Sequence, residues 1–263
     1  MRLVDLDDPA DARLDDFRNL TDADVRPDRR GIVIAEGVNV VQRLAHSAYP
    51  MRAVVGVAER VAALRAALAP VDVAVYRVDK WTLSRLAGFR VTRGVLASAD
   101  RLAEPNSTEL LEHAERVAVL EGLNDFENLG SVFRNAAAFG VDAVLLDPRC
   151  ADPLYRRSVR VSMGHVLQVP FARLAGAWPA SLDALPARDF RLIALTPTGE
   201  IALGEAEPAP PWALLLGAEG PGLSPGALRR ADVRVRIPMA PGVDSLNVAT
   251  AAALAFAHLT GAV

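Results

Sequence analysis

Cysteine is nearly absent from this sequence, in which Cys150 is the single one among 263 residues. Its scarcity excludes a disulfide within the sequence and a cysteine-based zinc site, and it favours a reducing compartment, the cytoplasm. The four histidines are scattered without the spacing of metal ligands, so we predict no metal site. The aspartate-rich residues 1–16 also lack the basic start and apolar core of a signal peptide.

Long apolar segments are missing as well. Residues 245–263 carry no charge, but five polar residues interrupt them and alanine supplies most of their apolar content. A segment of this composition falls short of a membrane span. We therefore expect a buried or interfacial helix there and no association with membranes.

Charge is unevenly distributed along the chain. The formal net charge is −3, which argues against a protein that binds polyanions in bulk. Residues 29–105, however, hold twelve Lys and Arg against six Asp and Glu. Such a basic segment is typical of a surface that contacts a phosphate backbone, although a solvated surface of mixed charge has the same composition.

The first part of the chain alternates short apolar runs with amphipathic stretches, in a composition that is ordinary for a globular protein. The pattern predicts strands at 31–36, 51–57, 71–76 and 94–99, and helices at 38–45, 61–68 and 79–86. Few apolar residues occur at 100–108, where we place a linker. A small α/β domain is therefore predicted at residues 1–105.

The rest of the chain, residues 106–263, repeats this alternation more strongly. We predict strands at 116–121, 141–146, 191–195, 213–216 and 233–237, and helices at 128–139, 155–162 and 247–260. Because the strands are apolar almost throughout, they are typical of a parallel sheet that is covered on both faces.

Three clusters of glycine and small polar residues follow strands of this second domain. Ligands of open α/β sheets bind at the carboxyl ends of strands, so these clusters predict a binding site. The first is 124–136, in which Asn128 could cap the following helix and Arg134 could face the same opening. A capped amphipathic helix with a surface arginine would give the same pattern.

The second cluster is the loop 217–222, with three glycines around Glu219. Its spacing does not match the G-x-G-x-x-G fingerprint, which disfavours a nicotinamide-dependent dehydrogenase. A carboxylate in a tight glycine loop is usually held by donors or by a cation. A plain Gly/Pro turn is the competing interpretation.

The third cluster runs from 237 to 249. A strand ends there at a proline, and Asp244 or Ser245 is the predicted N-cap of the helix that follows. Capping explains Ser245 but not Asn247, which would lie in the first turn. These short polar side chains favour holding a substrate over redox chemistry or hydrolysis.

Taken in order, the clusters resemble the three motifs of the SpoU (TrmH-type) RNA 2′-O-ribose methyltransferases of the SPOUT superfamily. The resemblance extends from about residue 116 to the C-terminus and is carried by Asn128-x-Gly130-x-x-x-Arg134, Gly217-x-Glu219-x-x-Gly222 and Ser245-Leu246-Asn247. Family members often carry Asp-Pro shortly before the first asparagine, whereas this chain has Asp-Phe-Glu at 125–127.

The resemblance implies an α/β fold whose parallel-sheet domain carries a C-terminal trefoil knot, preceded by a small ribosomal-protein-like domain that binds the RNA substrate. It also implies S-adenosylmethionine as the cofactor and a homodimer formed through the knotted domain. The cofactor contacts are then expected at Leu195, Thr196, Gly217, Glu219, Gly220, Ile237, Met239, Ser245 and Leu246.

For catalysis, the resemblance implies that Arg134 assists the loss of a proton from the ribose 2′-hydroxyl. A guanidinium stays protonated in nearly any protein site, so stabilising the developing alkoxide and a neighbouring phosphate is the physically easier role. Asn128, Ser245 and Asn247 would then orient the sugar or the cofactor, and Glu219 would anchor a motif rather than act as a base.

Basic residues outside the motifs are candidates for RNA contacts. On the helix predicted at 155–162, Arg156, Arg157 and Arg160 could form a phosphate track, although a solvated helix face would look the same. Arg29 and Arg30 open the basic segment.

The acceptor is expected in rRNA. A tRNA 2′-O-methyltransferase is one alternative, and a non-catalytic RNA-binding protein of the same fold is another. The second alternative is disfavoured because Asn128, Arg134, Glu219, Ser245 and Asn247 are all present.

Overall fold

The structure is a computed structural model that describes residues 1–22, 31–207 and 209–262. Within them the strands are β1 (Arg2–Asp5), β2 (Ile32–Glu36), β3 (Met51–Gly56), β4 (Ala74–Arg77), β5 (Val95–Asp100), β6 (Arg116–Glu121), β7 (Ala143–Leu146), β8 (Phe171–Arg173), β9 (Arg191–Leu195), β10 (Ile201–Ala202), β11 (Trp212–Gly217) and β12 (Val233–Arg236). The α-helices are α1 (Val38–Ala45), α2 (Ala58–Ala63), α3 (Arg65–Leu68), α4 (Lys80–Ala87), α5 (Ser107–Leu111), α6 (Phe126–Ala138), α7 (Arg156–Val161), α8 (Pro225–Arg230) and α9 (Val248–Leu259).

The chain divides into two compact units, Met1–Ala103 with Pro153–Gln168 and Glu104–Asp152 with Val169–Val263. The sequence prediction placed 153–168 in the second domain. It packs instead within the first unit, where α7 lies against β2 and Arg43 donates a hydrogen bond to the carbonyl of Met163. Residues 43 and 163 are 120 positions apart in the sequence. Local periodicity does not depend on contacts between such distant residues, so it could not predict this packing.

The first unit is built on a five-stranded mixed sheet in the order β1-β4-β3-β5-β2. One face is covered by α4 and a 3₁₀ segment, which bury Leu83, Leu86, Leu14 and Phe17 in a common core. The sequence analysis missed β1, which pairs with β4. The helix predicted at 61–68 is divided into α2 and α3.

The second unit is built on a seven-stranded sheet in the order β10-β12-β9-β11-β6-β7-β8. Every neighbouring pair in it is parallel, which confirms the predicted parallel sheet. Residues 212–216 are buried, as expected for a central strand that is covered on both faces. The short strands β8 and β10, of three and two residues, were not predicted.

The strand order of the second sheet reverses between β6 and β11. From β6 the chain adds β7 and β8 on one side, and β9, β10 and β12 all lie beyond β11. The carboxyl ends of strands at such a reversal form a crevice in which α/β proteins bind ligands.

The two longest helices of the second unit are α6 and α9. Helix α9 packs against α6 and buries Ala252 and Phe256. No helix in the part of the chain that the structure describes is long and apolar enough to cross a membrane. The trefoil knot that the family resemblance implies stays a prediction.

Candidate functional site

A cavity of about 640 Å³ opens at the carboxyl ends of β9, β11 and β12. The loop after β9, the loop after β11 and the segment that leads into α9 form its walls. All nine positions predicted to contact a cofactor line it, namely Leu195, Thr196, Gly217, Glu219, Gly220, Ile237, Met239, Ser245 and Leu246. The second and third sequence clusters therefore meet at one place with the loop after β9, although their role in binding stays a prediction.

The charge of this cavity limits what it can hold. Among the described residues that line it, Glu219 is the only charged one, and the others are apolar, glycine or small polar residues. A phosphate-bearing ligand would find no lysine or arginine in this wall. The lining instead suits a ligand that is partly apolar, is held by backbone groups and carries positive charge.

The loop 217–222 is folded tightly onto itself. A Cβ atom on Gly217 would lie 2.2 Å from the carbonyl carbon of Gly222, closer than real Cβ contacts come. The backbone of Ala218 bridges that of Gly222, and Gly220 adopts a left-handed φ of +87° that side chains disfavour. Glycine is therefore required here for the close approach of two backbone segments.

The loop after β9 is held against β12 in a similar way. A Cβ atom on Gly199 would lie 2.2 Å from the carbonyl carbon of Val235. The N–H of Thr196 donates to the carbonyl oxygen of Val235 at 2.9 Å, which fixes the cavity wall beside it. Sequence reasoning missed Gly199, which stands in a Thr-Pro-Thr-Gly-Glu stretch whose only signal is that of a turn.

Asn247 joins the three clusters through its side chain. Its Oδ1 accepts hydrogen bonds from the N–H groups of Ala249 and Thr250, at 2.9 and 3.2 Å, so Asn247 is the N-cap of α9. Its Nδ2 donates to Asn128 Oδ1 at 2.7 Å and to Glu219 Oε1 at 2.8 Å.

This geometry corrects two expectations. The N-cap of α9 is Asn247, not Asp244 or Ser245. Both amide hydrogens of Asn247 are used inside the chain, so this side chain ties the clusters together instead of facing a sugar. Ser245 is exposed on the cavity wall, and its hydroxyl has no partner among the described residues.

Asn128 is free to take part in the site because another residue caps α6. The Oδ1 of Asp125 accepts from the N–H groups of Glu127 and Asn128, at 3.0 and 2.7 Å, which corrects the expectation that Asn128 is the cap. This chain has Asp-Phe-Glu where family members often have Asp-Pro, and its aspartate, Asp125, is the helix cap. The Asn128 side chain instead bonds to Asn247 through Oδ1, and its Nδ2 has no partner within the described chain.

Arg134 does not line the cavity, contrary to the expectation that it faces the same opening as Asn128. Six residues of an α-helix correspond to about 600° of rotation, so the two side chains point about 120° apart. Arg134 is exposed, and its guanidinium has no partner among the described residues. Its donors are therefore available to a ligand from outside the chain.

Glu121, at the end of β6, is a supporting residue that sequence reasoning missed. Its buried carboxylate accepts from Arg149 Nη2 at 3.1 Å, Trp178 Nε1 at 2.6 Å and the N–H of Ser224 at 2.9 Å. Its carbonyl oxygen accepts from the N–H of Ala218 at 3.0 Å. Glu121 thus holds both ends of the loop 217–222, and a charged residue that ends an apolar strand was the available signal.

Asp147 supports the neighbouring strand end. Burial would raise the pKa of its carboxyl group, but hydrogen bonds from backbone N–H groups, first that of Gly122, and from Arg149 outweigh burial and lower it. Burial and the adjacent Asp147 raise the pKa of the Cys150 thiol to about 12. Cys150 is therefore a structural thiol rather than a nucleophile.

The predicted phosphate track on α7 is only partly exposed. The side chain of Arg156 is 10% exposed, donates to Glu36 Oε2 at 2.9 Å and stacks over Phe89 at 4.5 Å. Arg160 lies 3.8 Å from the same carboxylate, whereas Arg157 faces solvent. Arg156 thus holds α7 in the first unit instead of standing free for phosphate. The candidates Arg29 and Arg30 lie outside the described residues.

Comparison with known proteins identifies the family. Residues 115–257 match the model of the SpoU rRNA Methylase family. The chain is 54% identical over 263 residues to an uncharacterized tRNA/rRNA methyltransferase of Mycobacterium tuberculosis, an alignment that covers 97% of this chain and 91% of that protein. It is 31% identical over 153 residues to the 23S rRNA (guanosine(2553)-2'-O)-methyltransferase of Bacillus subtilis, which covers 58% of this chain and 61% of the other.

A solved structure extends the comparison to the whole fold. The AdoMet-bound rRNA methyltransferase of Sinorhizobium meliloti superposes with a TM-score of 0.81 and covers 97% of both chains. The identity is 24%, so this likeness shows the fold alone.

Proposed function

Because this chain belongs to the SpoU rRNA methylase family, we propose that it transfers a methyl group from S-adenosylmethionine to a ribose 2′-hydroxyl of RNA. The observation that carries this proposal is the bonding of Asn247 to both Asn128 and Glu219. Through it, three separate parts of the sequence form one rim around a cavity at the carboxyl ends of parallel strands.

The cavity fits this cofactor. Leu216, Ile237 and Leu246 offer apolar contacts, and the close-packed loops present backbone groups to the adenine and ribose. Glu219 places negative charge in a wall that otherwise has none, which favours a positively charged ligand. When bound, S-adenosylmethionine supplies an electrophilic methyl group on a sulfonium.

The acceptor oxygen would approach this methyl group in line, so that an O–CH3 bond forms as the S–CH3 bond breaks and S-adenosylhomocysteine leaves. The poorly acidic hydroxyl proton would pass to water, since no side chain here is assigned as the base. Arg134 stabilises the developing alkoxide and clamps a neighbouring phosphate, because its guanidinium stays charged and its donors are free. Asn128 donates from Nδ2 to the sugar while Oδ1 stays bonded to Asn247. Glu219 anchors the third motif and does not act as the base.

The family resemblance supports a homodimer formed through the second unit. Large apolar side chains are exposed near its C-terminus at Val243, Leu246 and Leu254. A second copy that covers them would complete the site near the interface, which agrees with the position of Arg134 outside the cavity of one chain. We propose the cytoplasm as the protein's compartment, where rRNA or tRNA would be available as substrate.

We place the acceptor in rRNA, since the matching family model describes rRNA methylases. The first unit binds the RNA, as in the small substrate-binding domain that it resembles. Transfer of a labelled methyl group to separated rRNA and tRNA fractions tests this choice. Labelling of the tRNA fraction alone would overturn it.

The Arg134→Ala variant tests the reaction itself. We expect it to bind S-adenosylmethionine with unchanged affinity in calorimetry and to lose methyl transfer by at least about 100-fold, the effect of removing an oxyanion donor. Arg134→Lys keeps the positive charge but lacks the planar guanidinium. We expect its rate of methyl transfer to lie between those of the unaltered protein and Arg134→Ala.

Arg191→Ala is the matched control, since Arg191 is an exposed arginine at the opposite end of β9. Normal turnover by Arg134→Ala would contradict the role of Arg134. Failure of the unaltered protein to bind the cofactor would leave a non-catalytic RNA-binding protein instead.

A further inference from the structure

The outer face of α4 in the first unit combines an exposed tryptophan with basic residues. Trp81 is 62% exposed, and the guanidinium of Arg85 lies 4.4 Å from the centre of its ring. Lys80 is exposed beside it. The opposite face of the helix buries Leu83 and Leu86 in the core, so packing fixes which face points outward.

Trp81 is the large apolar residue of α4 that faces solvent. The other large apolar residues of α4, Leu83 and Leu86, are buried. The ring is also held in place by Arg85, one helical turn away, in a cation–π contact. A rigid aromatic surface is thus presented to solvent.

The charge around this surface has one sign. Residues 80–99 contain four basic and no acidic residues, and all four basic side chains are exposed, namely Lys80, Arg85, Arg90 and Arg93. None of them forms an ion pair within the described chain. The nearest acid in sequence, Asp79, uses both carboxylate oxygens to cap α4, bonding the N–H groups of Trp81 and Thr82 and the hydroxyl of Thr82.

We propose that this face of α4 binds an unpaired nucleotide of the RNA substrate, with its base stacked on Trp81 and the flanking phosphates on Arg85 and Lys80. The inference rests on the proposed function for the identity of RNA as substrate. A base exposes its flat face only where it is not stacked within a duplex, so the surface selects a loop, bulge or end.

Other occupants fit these residues less well. A membrane surface would require several apolar side chains side by side, and the outward face of α4 offers one large apolar residue, Trp81. An acidic peptide would use the cations but would leave the ring without a flat partner. RNA uses both features together.

Binding of short RNAs to the full chain tests the proposal. A labelled, unstructured oligoadenylate is titrated against the protein in fluorescence anisotropy, in parallel with a labelled RNA duplex of equal length. We expect Trp81→Ala to weaken oligoadenylate binding by roughly 5- to 100-fold, the effect of removing one stacking contact, while duplex binding hardly changes. Trp81→Phe should restore most of the affinity.

Two arginine variants test whether RNA binding depends on a positive charge beside Trp81 or on positive charge anywhere on the first unit. Arg85→Ala should weaken binding and reduce the salt dependence by about one ion, as expected for the loss of one phosphate contact. Arg65→Ala removes the same charge from α3, which does not contribute to the core beneath α4, and should have little effect. Equal losses in Trp81→Ala and Arg65→Ala, or an equal loss on duplex and oligoadenylate, would overturn the proposal.

Binding of polyglutamate or of vesicles that contain phosphatidylglycerol, with the same dependence on Trp81, would also overturn it. Calorimetry with S-adenosylmethionine and methyl transfer to RNA separate this proposal from the proposed function. If Trp81→Ala transfers methyl groups with an unchanged KM for RNA, the proposal for the surface on α4 is wrong and the proposed function stands. If Trp81 governs oligoadenylate binding but the chain transfers no methyl group, the proposed function fails and the surface stands.

Discussion

Asn247 uses every hydrogen-bonding group of its side chain within the chain. Two acceptor positions cap α9, and two donors hold Asn128 and Glu219. The residue thereby couples the start of a helix to the shape of the cavity. Serine or aspartate could cap the helix equally well, but neither has two donors to offer the other motifs.

Asn247→Asp separates capping from coupling. The carboxylate keeps the cap, so we expect the free energy of unfolding to change by less than about 1 kcal/mol. It loses both donors and faces Glu219, so the affinity for S-adenosylmethionine should fall by roughly 10- to 100-fold at neutral pH. Calorimetry and thermal unfolding measure the two effects.

Asn106→Asp is the control for this variant. Asn106 caps α5 by accepting from the N–H of Thr108 at 2.9 Å and donates no hydrogen bond to the described chain. We expect neither the free energy of unfolding nor the affinity for S-adenosylmethionine to change in Asn106→Asp. Unchanged cofactor affinity in Asn247→Asp would show that the bonds to Asn128 and Glu219 do not shape the site.

Asp147 makes the free energy of unfolding depend on pH in the acidic range. Its pKa in the folded state is lower than in the unfolded state, so its stabilising effect is complete above the unfolded pKa of about 3.9 and disappears as the pH falls through the folded pKa. Asp147→Asn should lower the free energy of unfolding by about 1–3 kcal/mol at neutral pH, because a buried acceptor of Arg149 is lost.

We expect the difference in unfolding free energy between the original protein and Asp147→Asn to stay constant above about pH 5 and to shrink below about pH 4. Urea unfolding at several pH values measures it. Glu112→Gln serves as the control, since Glu112 is exposed and its carboxylate has no partner among the described residues. A difference that persists unchanged in acid would rule out ionised Asp147 as the cause.

At the scale of elements, the cavity depends on two loops that lie against neighbouring backbone. Gly217 and Gly199 both stand where a Cβ atom would meet backbone atoms at 2.2 Å. Neither has a positive φ, so close approach rather than backbone conformation requires glycine at both positions.

Gly217→Ala should therefore open the loop 217–222. We expect it to lower the free energy of unfolding by about 1–3 kcal/mol, as overpacking does, and to abolish detectable binding of S-adenosylmethionine. Gly204→Ala is the matched control, because a Cβ atom there meets nothing within 4 Å. Equal behaviour of the two variants in calorimetry and thermal unfolding would refute the close-approach argument.

Local sequence patterns predicted most elements within two or three residues, including β6, β9 and α1. They failed where the deciding contact is distant or the element is short. The stretch 2–5 becomes a strand only because β4 lies beside it, and β10 has two residues. Periodicity cannot reveal a strand that a neighbour rather than its own pattern creates.

At the scale of the whole molecule, the proposed homodimer can be tested at the exposed apolar residues near the C-terminus. Leu254 is 45% exposed on a helix that otherwise buries most of its large residues. We expect Leu254→Glu to raise the dimer dissociation constant at least about 100-fold and to lose methyl transfer, because a charge would be buried at the interface.

Sedimentation velocity measures the oligomeric state directly. Leu102→Glu, which places the same charge on another exposed leucine, should remain dimeric. A dimeric Leu254→Glu protein, or a fully active monomer, would refute the dimer through this surface.

The sequence by itself determined the class of fold, because hydrophobic period acts over a few neighbouring positions. Its three motifs, through the family resemblance, pointed to nine of the residues that line the cavity. Only the tertiary structure decided what those residues do. Asn247 and Asn128 are 119 residues apart and meet through a single hydrogen bond of 2.7 Å. The partners of Glu121 and the position of α7 likewise follow from packing between distant segments, which no local pattern records.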